Sequence, residues 1–146
     1  MPLVGTPDHR TPTMHAITCL DLPGDTPGRF PYSQAVASEG LLFVAGQLAG
    51  DEPTWSGPGG DIAAETRMAL QRIGRILVAA GLGFEDVLRV GIFMTNLDDF
   101  ASMNTVYRTF FVGPGLPART CVGVARLLDG HVIEIDCVAR LRPEIR

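Results

Sequence analysis

The stretch from Asp61 to Gly81 constrains the fold most, because its apolar residues recur at the spacing of one helix face. The residues on this face are Ile62, Ala69, Leu70, Ile73, Ile76, Leu77 and Ala80. Asp61 is a suitable N-cap, and Gly81 is suited to end the helix in a left-handed conformation. We therefore predict one long helix that buries a single face.

Shorter runs around this helix have the character of strands. We expect strands at 15–20, 34–38, 41–48, 87–94, 118–127 and 131–141, and a second helix that begins at Asp98 or Asp99 and includes Phe110. Glu39-Gly40 and Asp129-Gly130 predict two hairpin turns. The order β-β-β-α-β-α-β-β predicts an α+β fold with both helices on one face of a sheet.

The length of 146 residues suits one domain. Residues 1–13 contain prolines among polar residues and are predicted to form a mobile tail, which leaves 14–146 as a single domain. Two Pro/Gly-rich stretches, 21–31 and 49–60, are predicted loops within that domain.

Composition excludes several classes of protein. The net charge is −4, lysine is absent and the arginines are scattered, so a nucleic-acid-binding surface is not expected. Without lysine the chain cannot form a Schiff base with pyridoxal phosphate. No apolar run is long enough to span a membrane and no signal peptide is visible, so we expect a cytoplasmic protein.

Metal and disulfide chemistry are not expected either. The chain has three cysteines, an odd number, and none of them form a CxxC pair. The three histidines have no ligand spacing to each other. We therefore predict no metal site and no cofactor.

Three places carry polar groups that solubility alone does not explain. Arg119 opens a strand that is apolar on both faces, Glu134 interrupts an isoleucine-rich strand, and Tyr32-Ser33 ends a loop. A guanidinium matches a carboxylate, and a partly dry carboxylate can act as a general base. Each residue also has a plain alternative: a rim ion pair for Arg119, a solvated sheet face for Glu134 and a half-buried aromatic for Tyr32.

Two features predict an oligomer. A strand that is apolar on both faces needs cover on both, and the sequence has no third layer, so another subunit is expected to supply it. A two-residue turn at Asp129-Gly130 would pair Arg119 with Arg140, roughly 20 Å from Glu134. A site that uses both Arg119 and Glu134 should then take one residue from each of two protomers.

A series of segments resembles the reactive intermediate deaminase (Rid, YjgF-like) family. They are Tyr32-Ser33-Gln34-Ala35, Leu42-Phe43-Val44-Ala45-Gly46-Gln47, Ala80-Gly81-Leu82, 96–107, Phe110-Phe111, Pro117-Ala118-Arg119-Thr120-Cys121-Val122 and Ile133-Glu134-Ile135. The resemblance implies a chorismate-mutase-like protomer with a mixed sheet, two helices on one face, and assembly as a homotrimer with clefts between subunits.

The resemblance also implies roles for individual residues. Arg119 would bind the substrate carboxylate, Glu134 would orient the hydrolytic water, and Tyr32 would line the cleft. Further substrate-binding candidates are Ser33, Gly46, Asn104 and Cys121. The implied reaction hydrolyses a 2-imino acid, formed from an enamine such as 2-aminoacrylate, to a 2-oxo acid and ammonia.

Two alternatives stay open. The first is a pathway-specific deaminase of a larger enamine, because Phe30 stands where the family commonly has glycine and the segment before His15 is long. The second is a non-catalytic trimer that binds small acids. RNA cleavage, a role given to some family members, is the least favoured because the chain is acidic and has no lysine.

Overall fold

The computed structural model of the chain describes residues 18–26 and 28–143. The expected tail at 1–13 and the expected strand residues 15–17 lie outside the described residues. Six strands and two α-helices follow each other along the described chain. They are β1 (Thr18–Leu20), β2 (Ala35–Ser38), β3 (Leu41–Gln47), α1 (Ile62–Ala79), β4 (Val87–Met94), α2 (Phe100–Phe110), β5 (Ala118–Gly123) and β6 (Ile133–Arg140).

The strands form one mixed sheet in the order β1-β2-β3-β6-β4-β5. The pair β4 and β5 is parallel, and the other four neighbouring pairs are antiparallel. The parallel pair is joined by α2, since parallel neighbours need a crossover connection. The expected α+β fold is therefore confirmed.

Helix α1 forms for the local reasons that its sequence suggests. The Asp61 carboxylate accepts a hydrogen bond from the Ala64 amide at 3.0 Å and so caps the first turn. Gly81 follows the helix with a φ of +75°, a conformation that costs other residues a steric penalty. Six of the seven predicted face residues lie in α1, and five of these, from Ala69 onward, are buried against the sheet and α2.

The predicted hairpin between the last two strands is wrong. Asp129 and Gly130 do form a turn, and both have positive φ, 55° and 73°. However, β5 ends at Gly123 and pairs with β4, while β6 lies on the other side of β4. The turn therefore returns the chain across β4, and Arg119 does not face Arg140.

The sheet has one covered face and one open face within the chain. Ile133, Ile135 and other alternating residues are buried under the helices. On the opposite face Phe43 is 46% exposed and Val122, in the edge strand β5, is 40% exposed. Large apolar side chains thus remain accessible on the face that carries Glu134.

Candidate functional site

Arg119 lies near the start of β5 and points to the helix-covered side of the sheet. Its guanidinium carbon lies 4.6 Å from the ring centre of Tyr107 and 5.5 Å from that of Phe100, both on α2. Such cation–π contacts hold a guanidinium in place without neutralising it. Within 18–26 and 28–143, no carboxylate comes within salt-bridge distance of Arg119. The side chain is therefore positioned and still available to an anion.

The surroundings of Arg119 form a small pocket of about 220 Å³ that Asn104 and Tyr107 also line. Burial raises the pKa of the Tyr107 hydroxyl, and the neighbouring Arg119 guanidinium opposes that rise. Cys121, two residues after Arg119, contacts Met94 through sulfur atoms 3.6 Å apart. Burial raises the pKa of the Cys121 thiol more than the nearby charge of Arg119 lowers it, so the thiol is neutral. We call Asn104, Arg119 and Cys121 the arginine half-site.

Glu134 lies in β6 and points to the open face of the sheet. A β-bulge in β3 between Val44 and Gln47 places Gly46 directly against its carboxylate. A Cβ at position 46 would clash with Oε1 of Glu134 and would lie 2.9 Å from its Cδ. Gly46 is therefore needed for space, and its backbone forms one wall of the Glu134 position.

The environment of Glu134 favours its protonated form more than water does. Burial raises the pKa of this carboxyl, and the nearby charges of Asp51 and Asp136 raise it further. A carboxylate with a raised pKa is a stronger base than an exposed glutamate. Glu134 thus has the electrostatic character of a proton acceptor.

Tyr32 lies on the loop before β2 and is 53% exposed. Its ring stacks on Phe30 with centres 5.4 Å apart, and Arg29 lies over the Phe30 ring at 5.0 Å. Burial raises the pKa of Tyr32, and the charges of Asp51 and Glu134 add to that effect. Asp51 and Glu134 therefore both act on Tyr32 through their charges. We call Tyr32, Gly46 and Glu134 the glutamate half-site; Ser33, half-buried, follows Tyr32 in the chain.

One chain does not bring the two half-sites together. Arg119 pairs with Val90 and Val90 pairs with Cys137, so Arg119 shares the helix-covered face with these residues. Glu134 precedes Cys137 by three residues and points to the opposite face. Two strand spacings and three residues separate the two positions by roughly 14 Å, with the sheet between them. The separation of roughly 20 Å predicted from the hairpin is therefore wrong. The two side chains are kept apart because they point to opposite faces of the sheet.

The aromatic support of Arg119 was missed by the sequence analysis. Phe100 and Tyr107 are seven residues apart on a helix, so both project to the same side. They look like ordinary core residues in the apolar stripe of α2, and the signal becomes visible only once β5 is known to lie beside that helix. Asp51 was also missed, because its effect on Glu134 depends on packing between distant segments.

Across the described ranges, no group of three His, Cys, Asp or Glu side chains is arranged to hold a metal ion. Neither α-helix of the described chain is long and apolar enough to cross a membrane.

Comparison with known proteins decides the family. The family model described as endoribonuclease L-PSP matches residues 25–141. The chain belongs to this family, which includes the Rid and YjgF proteins. The resemblance found in the sequence is thereby confirmed, and the matched range contains all seven candidate site residues.

Similar proteins carry several different names. A RutC family protein of Synechocystis, slr0709, is 42% identical over 112 residues, which are 76% of this chain and 86% of that protein. A mouse protein named 2-iminobutanoate/2-iminopropanoate deaminase is 35% identical over 116 residues, 80% of this chain and 85% of its own length. The crystal structure of Escherichia coli TdcF with bound serine is 34% identical, with a TM-score of 0.68, and the match covers 76% of this chain and 88% of TdcF.

Proposed function

We propose that this Rid family protein is a hydrolase that converts 2-imino acids of the 2-aminoacrylate type into 2-oxo acids and ammonia. The observation that carries the proposal is Arg119: a partly buried guanidinium that lies against two aromatic rings and is unpaired with any described carboxylate. A planar guanidinium binds a carboxylate through two parallel hydrogen bonds. The named mouse deaminase and the serine-bound TdcF structure support a small amino-acid-like ligand.

The proposed mechanism uses the two half-sites in sequence. Arg119 holds the substrate carboxylate and so fixes the C=N carbon beside Glu134. The Glu134 carboxylate accepts a proton from a water molecule as that water attacks the carbon of the protonated imine, which forms a neutral tetrahedral aminoalcohol. Glu134 then gives this proton to the amino nitrogen. As the C–N bond breaks and ammonia leaves, the hydroxyl proton of the aminoalcohol passes to the Glu134 carboxylate, and the 2-oxo acid is released. Tyr32 lines the space around the bound substrate. One water molecule is consumed for each ammonia molecule released.

We propose that the complete site forms between copies of the chain in a homotrimer. The two half-sites lie on opposite faces of one sheet, and the face of Glu134 exposes Phe43 and Val122. Association of copies through this face would cover those side chains and place Arg119 of one copy beside Glu134 of the next. Each site would then need residues from two chains.

Mixing two inactive variants tests both the reaction and the shared site. We expect Arg119→Ala and Glu134→Gln to be nearly inactive alone and to regain about one quarter of wild-type activity when mixed one to one and reassembled, because a random quarter of the sites combine an intact arginine with an intact glutamate. The measurement is ammonia and pyruvate release from 2-aminoacrylate, generated in the assay by a serine dehydratase.

Three controls accompany this mixture. Each variant is denatured and reassembled alone, so that recovery is not an effect of the procedure. Intact RNA after incubation with the wild-type protein excludes the nuclease activity that the family description names. Failure of the wild-type protein to accelerate pyruvate release over buffer contradicts the reaction, whereas active wild type with no recovery in the mixture contradicts the shared site.

The pH dependence should report the surroundings of Glu134. Since burial, Asp51 and Asp136 all raise the pKa of Glu134, the acidic limb of kcat/KM should lie above the range of an ordinary glutamate. Asp51→Asn removes a repelling charge, so the limb should shift to lower pH. Asp98→Asn, an exposed control on the loop before α2, should leave it in place. Titration of the substrate itself affects the wild type and both variants equally, so it cannot produce a shift between them. An acidic limb that does not move in Asp51→Asn would contradict the assignment of Glu134 as the base.

A further inference from the structure

A polar cavity of about 360 Å³ lies beside the loop that carries Tyr32. Asp25, Tyr32, Gln34, Asp51, Arg72 and His131 are among the residues that line it. We call it the loop cavity. It is separate from the pocket around Arg119, and none of the reaction steps above uses it.

Arg72, in the middle of α1, is the unusual component of this cavity. The residue is only 2% exposed, yet it carries a full charge. Its Nε donates to Oε1 of Gln47 at 3.1 Å, and its Nη2 donates to both carboxylate oxygens of Asp25 at 2.9 and 2.8 Å. Nη1 is buried and donates to no acceptor in the described part of the chain. A buried guanidinium nitrogen with two N–H groups and no acceptor is costly, so this nitrogen favours a ligand oxygen.

The charges around the cavity restrict the kind of oxygen that fits. Four aspartates and two arginines line it. One aspartate, Asp25, already neutralises Arg72. A carboxylate entering the cavity would therefore meet a net negative lining, whereas a neutral carbonyl oxygen would not. The remaining aspartates can accept hydrogen bonds, so a group that also carries N–H donors suits them best.

The cavity borders the glutamate half-site. Tyr32 lines it directly, and Asp51 lines it while also acting on the pKa of Glu134. His131 and Asp129 line both the loop cavity and the neighbouring pocket that contains Glu134. A substrate whose imine carbon lies beside Glu134 could thus extend its side chain past Tyr32 toward Arg72.

We propose that the loop cavity binds the substrate side chain and selects 2-imino acids that end in a primary carboxamide. The carboxamide oxygen would accept from Nη1 of Arg72, and its NH₂ group would donate to a lining aspartate such as Asp51. This inference rests on the proposed function and names the substrate class within it. An apolar tail would leave Nη1 without an acceptor, and a carboxylate tail would be repelled by the aspartates.

Three imines of similar length test the selection. They are produced in the assay by an amino-acid oxidase from glutamine, glutamate and norleucine, and 2-aminoacrylate serves as the general substrate. For the wild-type protein we expect kcat/KM for the glutamine-derived imine to exceed each of the other two at least about tenfold, the effect of one hydrogen bond to a charged group.

Two variants locate the selection at Arg72. Arg72→Met removes the guanidinium, so the glutamine-to-norleucine ratio of kcat/KM should fall about tenfold. Asp25→Asn is the matched control, because it weakens the same ion pair but keeps the guanidinium, and it should retain the preference for the glutamine-derived over the norleucine-derived imine. If Arg72→Met does not fold, Arg72→Lys replaces it: lysine keeps a charge for Asp25 but has no second terminal nitrogen.

The outcomes separate this inference from the proposed function. Turnover of 2-aminoacrylate without a preference for the glutamine-derived imine overturns the carboxamide selection and leaves the deaminase proposal intact. A preference that survives in the folded Arg72 variant overturns the role of Arg72. Absence of turnover with every imine overturns the proposed function, and the selection with it.

Discussion

Replacement of Arg119 by alanine is expected to lower kcat/KM for 2-aminoacrylate by about 10² to 10³, because a two-point, charge-assisted contact with the substrate carboxylate is lost. The loss should include a large increase in KM. Arg119→Lys keeps the charge but cannot present two parallel N–H groups, so it should recover only a small part of the activity.

The control for Arg119 is Arg89→Ala. Arg89 is an exposed arginine on the neighbouring strand β4, and its guanidinium donates to the Thr120 hydroxyl at 3.3 Å on the open face. Its loss removes the same charge from the protein without touching the aromatic pair around Arg119, so kcat/KM should change by less than about threefold. Equal losses in the two variants would mean that only net charge matters and would refute the specific role of Arg119.

Gly46→Ala is expected to lower kcat about a hundredfold while the fold stays intact. The new methyl group would occupy the position of the Glu134 carboxylate, which is the free end of a flexible side chain and can move away. Loss of a positioned general base typically costs 10² to 10⁴ in rate. The backbone at Gly46 has no positive φ, so alanine brings no backbone strain there. Activity is measured beside the melting temperature, which should stay within about 3 °C of wild type.

The chain contains a matched control for this substitution. A Cβ at Gly91 on β4 would clash with Oδ1 of Asp136 just as a Cβ at Gly46 clashes with Glu134. Gly91→Ala therefore displaces a carboxylate on the same face of the sheet, but one that acts on Glu134 only through its charge and takes no proton in the proposed reaction. It should keep kcat within about threefold of wild type. A similar loss of activity in both variants would show that crowding of the open face, and not the position of Glu134, is responsible.

Local features of the fold, including the Glu39-Gly40 hairpin between β2 and β3, could be predicted from the sequence, and pairings between strands distant in the chain could not. The boundaries of α1 follow from apolar spacing, the Asp61 cap and Gly81, all within the segment itself. The turn at Asp129-Gly130 was also predicted correctly as a turn. Its interpretation as a hairpin was wrong because β4 lies between β5 and β6. The residues of a turn do not indicate whether a strand from a distant part of the chain pairs between the two strands that the turn connects.

The same distinction applies to the candidate site. Arg119, Glu134 and Tyr32 were selected through the resemblance and the residue types. Their grouping into two half-sites required the sheet order and the alternation of side chains along β5 and β6. Two further features depend on contacts between segments far apart in sequence: the effect of Asp51 on the pKa of Glu134 and the unpaired Nη1 of Arg72. No residue spacing in the sequence predicts either of them.

The placement of Arg119 and Glu134 on opposite sides of one sheet has a consequence for how damage spreads. In the proposed ring of three copies, every copy would contribute to two reaction sites, with its arginine in one and its glutamate in the other. A single copy that has lost both the Arg119 and the Glu134 side chains would therefore inactivate two of the three sites. A copy that dissociates on dilution would have no complete site.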